Sequence, residues 1–121
     1  MSSEPGRADF TLMAILRIAR DISGARGLSL SEALRRSGYR DHRPHFTARE
    51  VRAALTAHPA LIDEWLAYSE DKRTEAGWYV LRDGEIGQVL KPSAQRSFPT
   101  IAEAVAQFIV HELDYWAGTG A

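Results

Sequence analysis

Apolar residues recur every three or four positions through five stretches of the chain, and this spacing predicts five amphipathic helices. The first is expected over residues 9–22, and the fourth follows Pro59, a residue that suits a first helical turn. The last is expected to run to about Trp116. Three helices begin at capping boxes, in which Ser or Thr stands three residues before Glu: Ser29 with Glu32, Thr47 with Glu50, and Thr100 with Glu103.

One passage with a different pattern, residues 77–90, interrupts the helices. Apolar and β-forming residues flank Asp83-Gly84, a pair typical of two-residue hairpin loops in which both residues adopt positive φ. In that register one face carries Trp78, Val80 and Val89, and the other carries Tyr79, Leu81 and Ile86. An isolated hairpin is only marginally stable in water, so we expect this one to pack on the last two helices and to leave the Tyr79 face partly open.

These elements predict an α+β fold in the order ααααββα, with about five helices packed against one hairpin. A single globular domain is expected over residues 9–117, between a flexible tail at 1–8 and a fraying tail at 118–121. Residues 39–46 and 92–99 contain prolines and closely spaced polar residues, so irregular loops are expected there.

The composition is that of an ordinary globular protein: of 121 residues, 45% are hydrophobic and 26% are charged. The sequence has no cysteine, which excludes disulfides and thiolate zinc sites. No apolar stretch has the character of a signal peptide or the length of a membrane span. We therefore expect a cytoplasmic protein that has no membrane partner.

The net charge of −1 hides an uneven distribution along the chain. Residues 1–60 contain ten arginines and six acidic residues, whereas residues 61–121 contain five basic and ten acidic residues. The favoured contact for a protein partner combines the acids of the fourth helix with one aromatic residue of the hairpin: Asp63, Glu64, Glu70, Asp71 and Tyr79. The alternative for these acids is an ordinary solvent-facing helix surface.

Basic residues are concentrated between residues 35 and 52, and a nucleic acid is the alternative partner there. The candidate contacts are Arg40, Arg43, Arg49 and Arg52, with Tyr39, His42 and His45 offering rings for stacking on bases. Helices followed by a hairpin resemble the winged-helix superfamily, at the level of architecture only. The long connection 38–46, the intervening fourth helix and a chain pI near 6.4 depart from that pattern, which favours a protein partner.

The histidines give little support for a metal site. His42 and His45 stand three residues apart and His58 would be a third ligand, but Pro44 breaks the helix that would aim the first two rings together. No carboxylate stands at a recognised ligand spacing from them. Neither a metal nor another cofactor is therefore expected.

Glu112 stands in the middle of the apolar stripe of the last helix. A carboxylate in such a place is paired, protonated or close to the helix end, where the stripe meets water. Glu112 is therefore a general acid with a raised pKa, a structural ion-pair partner of Lys72 or Arg73, or an exposed residue of the last turn. The structural roles are favoured, because a general acid needs a partner group and the sequence identifies none.

Together these features predict a small, non-catalytic binding module that contacts a protein, as an inhibitor, an immunity-like protein or an adaptor does. A winged-helix-like nucleic-acid binder that uses the Arg-rich segment is the first alternative. An enzyme with Glu112 or a histidine as its acid–base group is the second.

Overall fold

Helices and one three-stranded antiparallel sheet form the structure, a computed structural model that describes residues 12–23, 29–72 and 76–119. The helices are α1 (Ile18–Ser23), α2 (Leu30–Ser37), α3 (Tyr39–His42), α4 (Ala48–Ala57), α5 (Ala60–Asp71) and α6 (Ile101–Ala117), and a 3-10 helix covers Arg43–His45. The strands β1 (Trp78–Val80), β2 (Glu85–Gln88) and β3 (Lys91–Ser97) lie in that order across the sheet. Residues 12–16 are also helical and lead into α1. The predicted α+β class is confirmed, and the predicted tail at 1–8 lies outside the described residues.

The three capping residues start helices where the sequence predicts them. The side chains of Ser29, Thr47 and Thr100 each accept the backbone N–H three residues on, at 3.2, 3.3 and 3.2 Å. At Thr47 the box is reciprocal, because its own N–H donates to Glu50 at 3.0 Å. These bonds satisfy N–H groups that have no partner within the first helical turn, which fixes the starts of α2, α4 and α6 locally.

The helix α6 is the centre of the hydrophobic core. Its buried face meets α4, α5 and the inner face of the sheet. Rings of Trp65 and Tyr68 on α5 pack against Phe108 of α6, with centroids 6.2 and 6.1 Å away. The indole N–H of Trp65 donates to the carbonyl of Leu16 at 2.8 Å, which ties the N-terminal helical residues to the same core.

The segment 39–46, expected to be an irregular loop, forms the short helix α3 and the 3-10 helix. Gly38 ends α2 with a φ of 71°, the left-handed conformation that glycine adopts without strain. Tyr39 follows it and is fully buried, and its hydroxyl donates to Asp114 of α6 at 2.7 Å. This contact orders the segment, and local sequence patterns do not predict it because its two residues are far apart in the chain.

The hairpin loop has three residues, so the predicted two-residue loop was wrong. The N–H of Leu81 donates to the carbonyl of Glu85 at 2.8 Å, and the N–H of Gly84 donates to the carbonyl of Leu81 at 3.0 Å. Only glycines among the described residues have positive φ, so Gly84, at 95°, takes the left-handed position and Asp83 does not. This is the arrangement of a turn followed by a glycine bulge.

The longer loop shifts the predicted strand register by one residue. The pairs are Trp78 with Gln88, Tyr79 with Gly87, and Val80 with Ile86. Because directly opposite residues share a face, Ile86 joins Val80 on the inner face, where both are buried. Its predicted place beside Tyr79 was wrong, and Val89 moves to the outer face with Tyr79 and Leu81.

A third strand occupies the segment expected to be a loop after Pro92. β3 pairs antiparallel with β2, with Glu85 opposite Ser97, Ile86 opposite Arg96 and Gln88 opposite Lys91, and with a bulge between the last two pairs. The strand is exposed except at Ala94, which is partly buried. An edge strand of this kind needs no alternation of apolar residues, because its backbone hydrogen bonds provide the pairing. The side-chain pattern therefore gave no signal.

The last helix ends in an ordered turn. Gly118 adopts a φ of 72°, and its N–H donates to the carbonyl of Asp114 at 2.9 Å. The N–H of Thr119 donates to the same carbonyl at 3.1 Å. Residues 118 and 119 of the predicted fraying tail are thus bonded to the helix end, and residues 120 and 121 lie outside the described part.

Candidate functional site

Two acidic residues of α5 are engaged in ion pairs. Glu64 accepts two hydrogen bonds from Arg20, at 2.8 and 3.0 Å, which ties α5 to α1. Glu70 accepts a bond of 3.2 Å from Arg82 at the hairpin tip. The second pair holds the C-terminal half of α5 beside the hairpin loop.

The remaining acids of α5 stay open to solvent. Asp63 and Asp71 are exposed and form no ion pair with any residue in the described ranges. Asp63 stands seven residues before Glu70, a spacing that places these two on one face of α5, and Asp71 follows Glu70 directly. Because Glu70 pairs with Arg82, its end of this acidic face lies beside the hairpin loop.

This combined area is called the hairpin surface below. It consists of three side chains of the outer sheet face, Tyr79, Leu81 and Val89, and of five carboxylates, those of Asp63, Glu70, Asp71, Asp83 and Glu85. Leu81 is 45% exposed and Val89 is 38% exposed. Arg82 adds a basic group at the hairpin tip, so among the described residues of this surface the carboxylates outnumber the basic side chains.

Tyr79 is fixed in position on the hairpin surface. Its hydroxyl donates to Glu85 at 2.8 Å, and its ring lies directly over Gly87. A Cβ at Gly87 would stand 2.6 Å from the hydroxyl oxygen, so only glycine accommodates the ring in this pose. Partial burial and the bond to Glu85 raise the pKa of Tyr79. The ring therefore presents a preorganised aromatic edge next to Leu81.

Among the arginines of segment 35–52, Arg43 has a structural partner. Its Nε lies 2.8 and 3.0 Å from the two carboxylate oxygens of Asp114, and its Nη1 donates to the carbonyl of Phe46 at 3.2 Å. Asp114 also accepts the hydroxyls of Tyr39 and Thr119, at 2.7 and 2.6 Å. The cluster anchors the 3-10 helix to the end of α6.

The other three candidate arginines are exposed. Arg40 lines a cleft of about 410 Å³ together with Trp116. Arg49 and Arg52 line a different depression beside Glu103, at the first turn of α6. The structure therefore places Arg49 and Arg52 apart from Arg40 and Arg43, which both lie near the end of α6: Arg40 Nη2 stands 4.0 Å from the Cβ position of Gly118, and Arg43 binds Asp114.

The histidines are not assembled into a metal site. In residues 12–23, 29–72 and 76–119 there is no group of three His, Cys, Asp or Glu side chains able to hold an ion. His42 lies in α3 and His45 ends the 3-10 helix, whereas His58 caps the far end of α4.

Glu112 is a fully buried member of a hydrogen-bonded cluster. Its Oε2 accepts Lys72 Nζ at 2.8 Å and the hydroxyl of Tyr68 at 2.7 Å, and its Oε1 accepts the N–H of Trp78 at 2.7 Å. Lys72 also donates to the carbonyl of Trp78 at 2.8 Å. Burial, together with the adjacent Glu112 charge, raises the pKa of Tyr68. Of the sequence-based alternatives, the ion pair with Lys72 is the one present.

This cluster closes one edge of the sheet. The backbone groups of Trp78 and Val80 point away from β2, since Tyr79 lies between them in the ladder. Trp78 is satisfied by Glu112 and Lys72, and the hydroxyl of Ser69 both accepts the N–H of Val80, at 2.9 Å, and donates to its carbonyl, at 3.1 Å. All four outward groups of β1 therefore bind side chains, which leaves β3 as the open edge.

Sequence reasoning missed the roles of Asp114 and Ser69. A signal existed for Asp114, which, like Glu112, is a carboxylate within the apolar stripe of α6. No local signal existed for Ser69, because its partners lie on a strand whose position only the tertiary structure fixes.

Comparison of the chain with family models, curated proteins and solved structures gives no significant match. Among the described helices, none combines the length and the apolar character that crossing a bilayer requires.

Proposed function

We propose that this chain is a small, non-catalytic binding module that docks a protein partner on the hairpin surface. The partner presents an apolar patch surrounded by lysine or arginine side chains. We keep the cytoplasm as the proposed location, in line with the expectation from the sequence.

The observation that carries the proposal is the exposure of Leu81 and Val89 among acidic groups. Apolar side chains grouped on one sheet face are typical of interaction sites, because burying them removes apolar surface from water. The five surrounding carboxylates against one guanidinium select a basic partner and speed its association at low ionic strength.

The geometry gives less support to the two alternatives. Catalysis through Glu112 would need access to a carboxylate that is fully buried and already accepts three bonds. A nucleic-acid surface would need the arginines to act together, whereas Arg43 is bound to Asp114, and Arg49 and Arg52 line a different depression from Arg40.

The test is an affinity purification of the tagged chain from its own cells at low salt, repeated with surface variants. The first variant is Leu81→Ser with Val89→Ser, and the second is Asp63→Lys with Asp71→Lys. The matched control is Arg49→Gln with Arg52→Gln, which changes exposed residues elsewhere. Circular dichroism confirms that each variant is folded.

The expected result is one stoichiometric protein that the wild type and the control retain. The first variant loses it, and the second binds it with an association rate about tenfold lower at low salt, a difference that shrinks as salt is added. A protein retained equally by both hairpin-surface variants would overturn the proposal. So would nucleic acid that co-purifies and is lost with Arg49→Gln and Arg52→Gln.

A further inference from the structure

A cleft separate from the hairpin surface lies on the inner side of the sheet, between Trp78 and Gln88 and the C-terminal half of α6. Its volume is about 680 Å³, within the range of pockets that hold small organic ligands. Arg43 and the ordered end of α6, including Thr119, form the remaining wall. This space is named the basic cleft here.

Of the described residues that line the basic cleft, the one carboxylate is fully hydrogen-bonded and is balanced by Arg43. Asp114 Oδ1 accepts Tyr39, Arg43 and Thr119 at 2.7, 2.8 and 2.6 Å, so its charge is neutralised by Arg43. Arg43 Nη2 has no hydrogen bond to a described residue and is available to a ligand.

The net positive charge comes from two cations of β3, which stand beside the cleft rather than among the residues that line it. Lys91 lies opposite Gln88 and Arg96 lies opposite Ile86, and residues paired in this way share the inner face of the sheet. Within the described ranges neither forms an ion pair, and both are exposed. Arg96 is close enough to His111 to act on its titration.

The walls of the basic cleft also supply flat rings. The imidazole of His111 stacks on the indole of Trp78, with centroids 4.3 Å apart and planes inclined by 18°. Tyr115, also in the wall, is 40% exposed. A ligand therefore meets guanidinium donors at one side and an aromatic platform at another.

We propose that the basic cleft binds a planar organic anion, whose phosphate or carboxylate lies between Arg43, Arg96 and His111 and whose ring lies on Tyr115. A bare inorganic anion would fill only a small part of the volume. A planar body fills the rest and removes apolar ring surface from water.

The charged groups that act on His111 are Arg96 from β3, Arg43 from the 3-10 helix and Asp114 from its own helix. Burial, followed by the nearby Arg96, lowers the pKa of His111. An anion beside the ring favours the charged imidazole, so bound anion raises this pKa and anion affinity increases as the pH falls. Sulfate keeps its charge across this pH range and is the suitable probe.

The experiment titrates the full chain with sulfate, ribose 5-phosphate, adenosine 5′-monophosphate and 4-hydroxybenzoate, following the His111 ring by NMR. We expect at least one aromatic anion to bind about tenfold or more tightly than its ring-free counterpart, and sulfate to raise the pKa of His111. The two aromatic probes distinguish a nucleotide from an aromatic carboxylate. Arg96→Gln weakens binding of all the anions about tenfold, as loss of a charge-assisted hydrogen bond predicts.

Tyr115→Leu reduces the preference for the aromatic anions and leaves sulfate affinity unchanged. Arg49→Gln, which changes a residue of a different depression, is the matched control and changes nothing. Equal affinities for the aromatic and the ring-free anions would overturn the proposal, and so would binding that Arg96→Gln does not weaken.

Discussion

Glu112 and Lys72 form an ion pair inside the fold, with Oε2 and Nζ 2.8 Å apart and side-chain exposures of 0% and 8%. Glu112 also accepts the backbone N–H of Trp78, and Lys72 also donates to the carbonyl of Trp78. A buried charge pair is tolerated when further hydrogen bonds satisfy both partners, and the edge of β1 supplies them. The pair thus connects α5, α6 and the sheet.

Replacing Glu112 by Gln should destabilise the protein strongly. The change leaves the Lys72 ammonium buried without a counter-charge, which costs about 3–5 kcal/mol in the free energy of unfolding. Urea denaturation measures the loss, and Asp63→Asn serves as the exposed control. The combined Glu112→Gln and Lys72→Met variant should be less unstable than the sum of the single changes predicts. A loss no larger than that of Asp63→Asn would contradict the structural role.

Stability should fall at alkaline pH through Tyr39 and Tyr68. Burial is the main cause that raises the pKa of both phenols, and bonds to Asp114 and Glu112 add to it. Above about pH 10, the unfolded chain loses these protons while the folded protein keeps them, so the free energy of unfolding decreases with pH. Denaturation at pH 8 and 11 measures the effect. Tyr68→Phe should reduce this pH dependence, whereas Tyr115→Phe, at an exposed site, should leave it unchanged.

Protonation of His111 should lower the free energy of unfolding at acidic pH. Its pKa in the folded protein is lowered by burial and then by Arg96, so between about pH 7 and pH 5 the unfolded chain binds more protons than the folded one. Stability contributed by the neutral ring is present above pH 6.5 and is lost as the pH falls. Thermal unfolding of His111→Gln at pH 7 and pH 5 should show a smaller difference than the wild type. His58→Gln is the exposed control, and an equal reduction there would refute the assignment.

Gly87 and Tyr79 should behave as a coupled pair. A methyl group at Gly87 would stand 2.7 Å from ring carbons of Tyr79, so Gly87→Ala should cost about 1–3 kcal/mol by overpacking. In a Tyr79→Ala background the same change should cost much less. Gly84→Ala differs, since its φ of 95° and the Phe98 carbonyl 2.8 Å from its Cβ position cause strain that truncation of Tyr79 cannot relieve. If the losses in the free energy of unfolding for Gly87→Ala and Tyr79→Ala simply add, the Tyr79 ring does not lie over Gly87.

Local signals predicted a large share of this fold. The caps at Ser29, Thr47 and Thr100 and the breaks at Gly38 and Pro59 depend on residues a few positions apart. Their chemistry is complete within one helical turn, so the sequence alone places these helix boundaries.

The candidate sites were predicted only in part. The acids of α5 are visible in the sequence, but only the positions of Arg20 and Arg82 show that Glu64 and Glu70 are paired while Asp63 and Asp71 are open. The basic cleft gave no signal, because its groups come from β1, β2, β3, the 3-10 helix and α6. No window of sequence contains them together.

The sequence by itself determined the α+β class, the starts of the capped helices and the need of Glu112 for a partner if buried. The tertiary structure decided which partner Glu112 has, where the hairpin register lies and that β3 exists at all. The physical reason is the sequence separation of the interacting residues, because caps and turns are completed by neighbours along the chain. Strand pairing and the neutralisation of a buried charge depend on groups that meet only when α5, α6 and the sheet pack together.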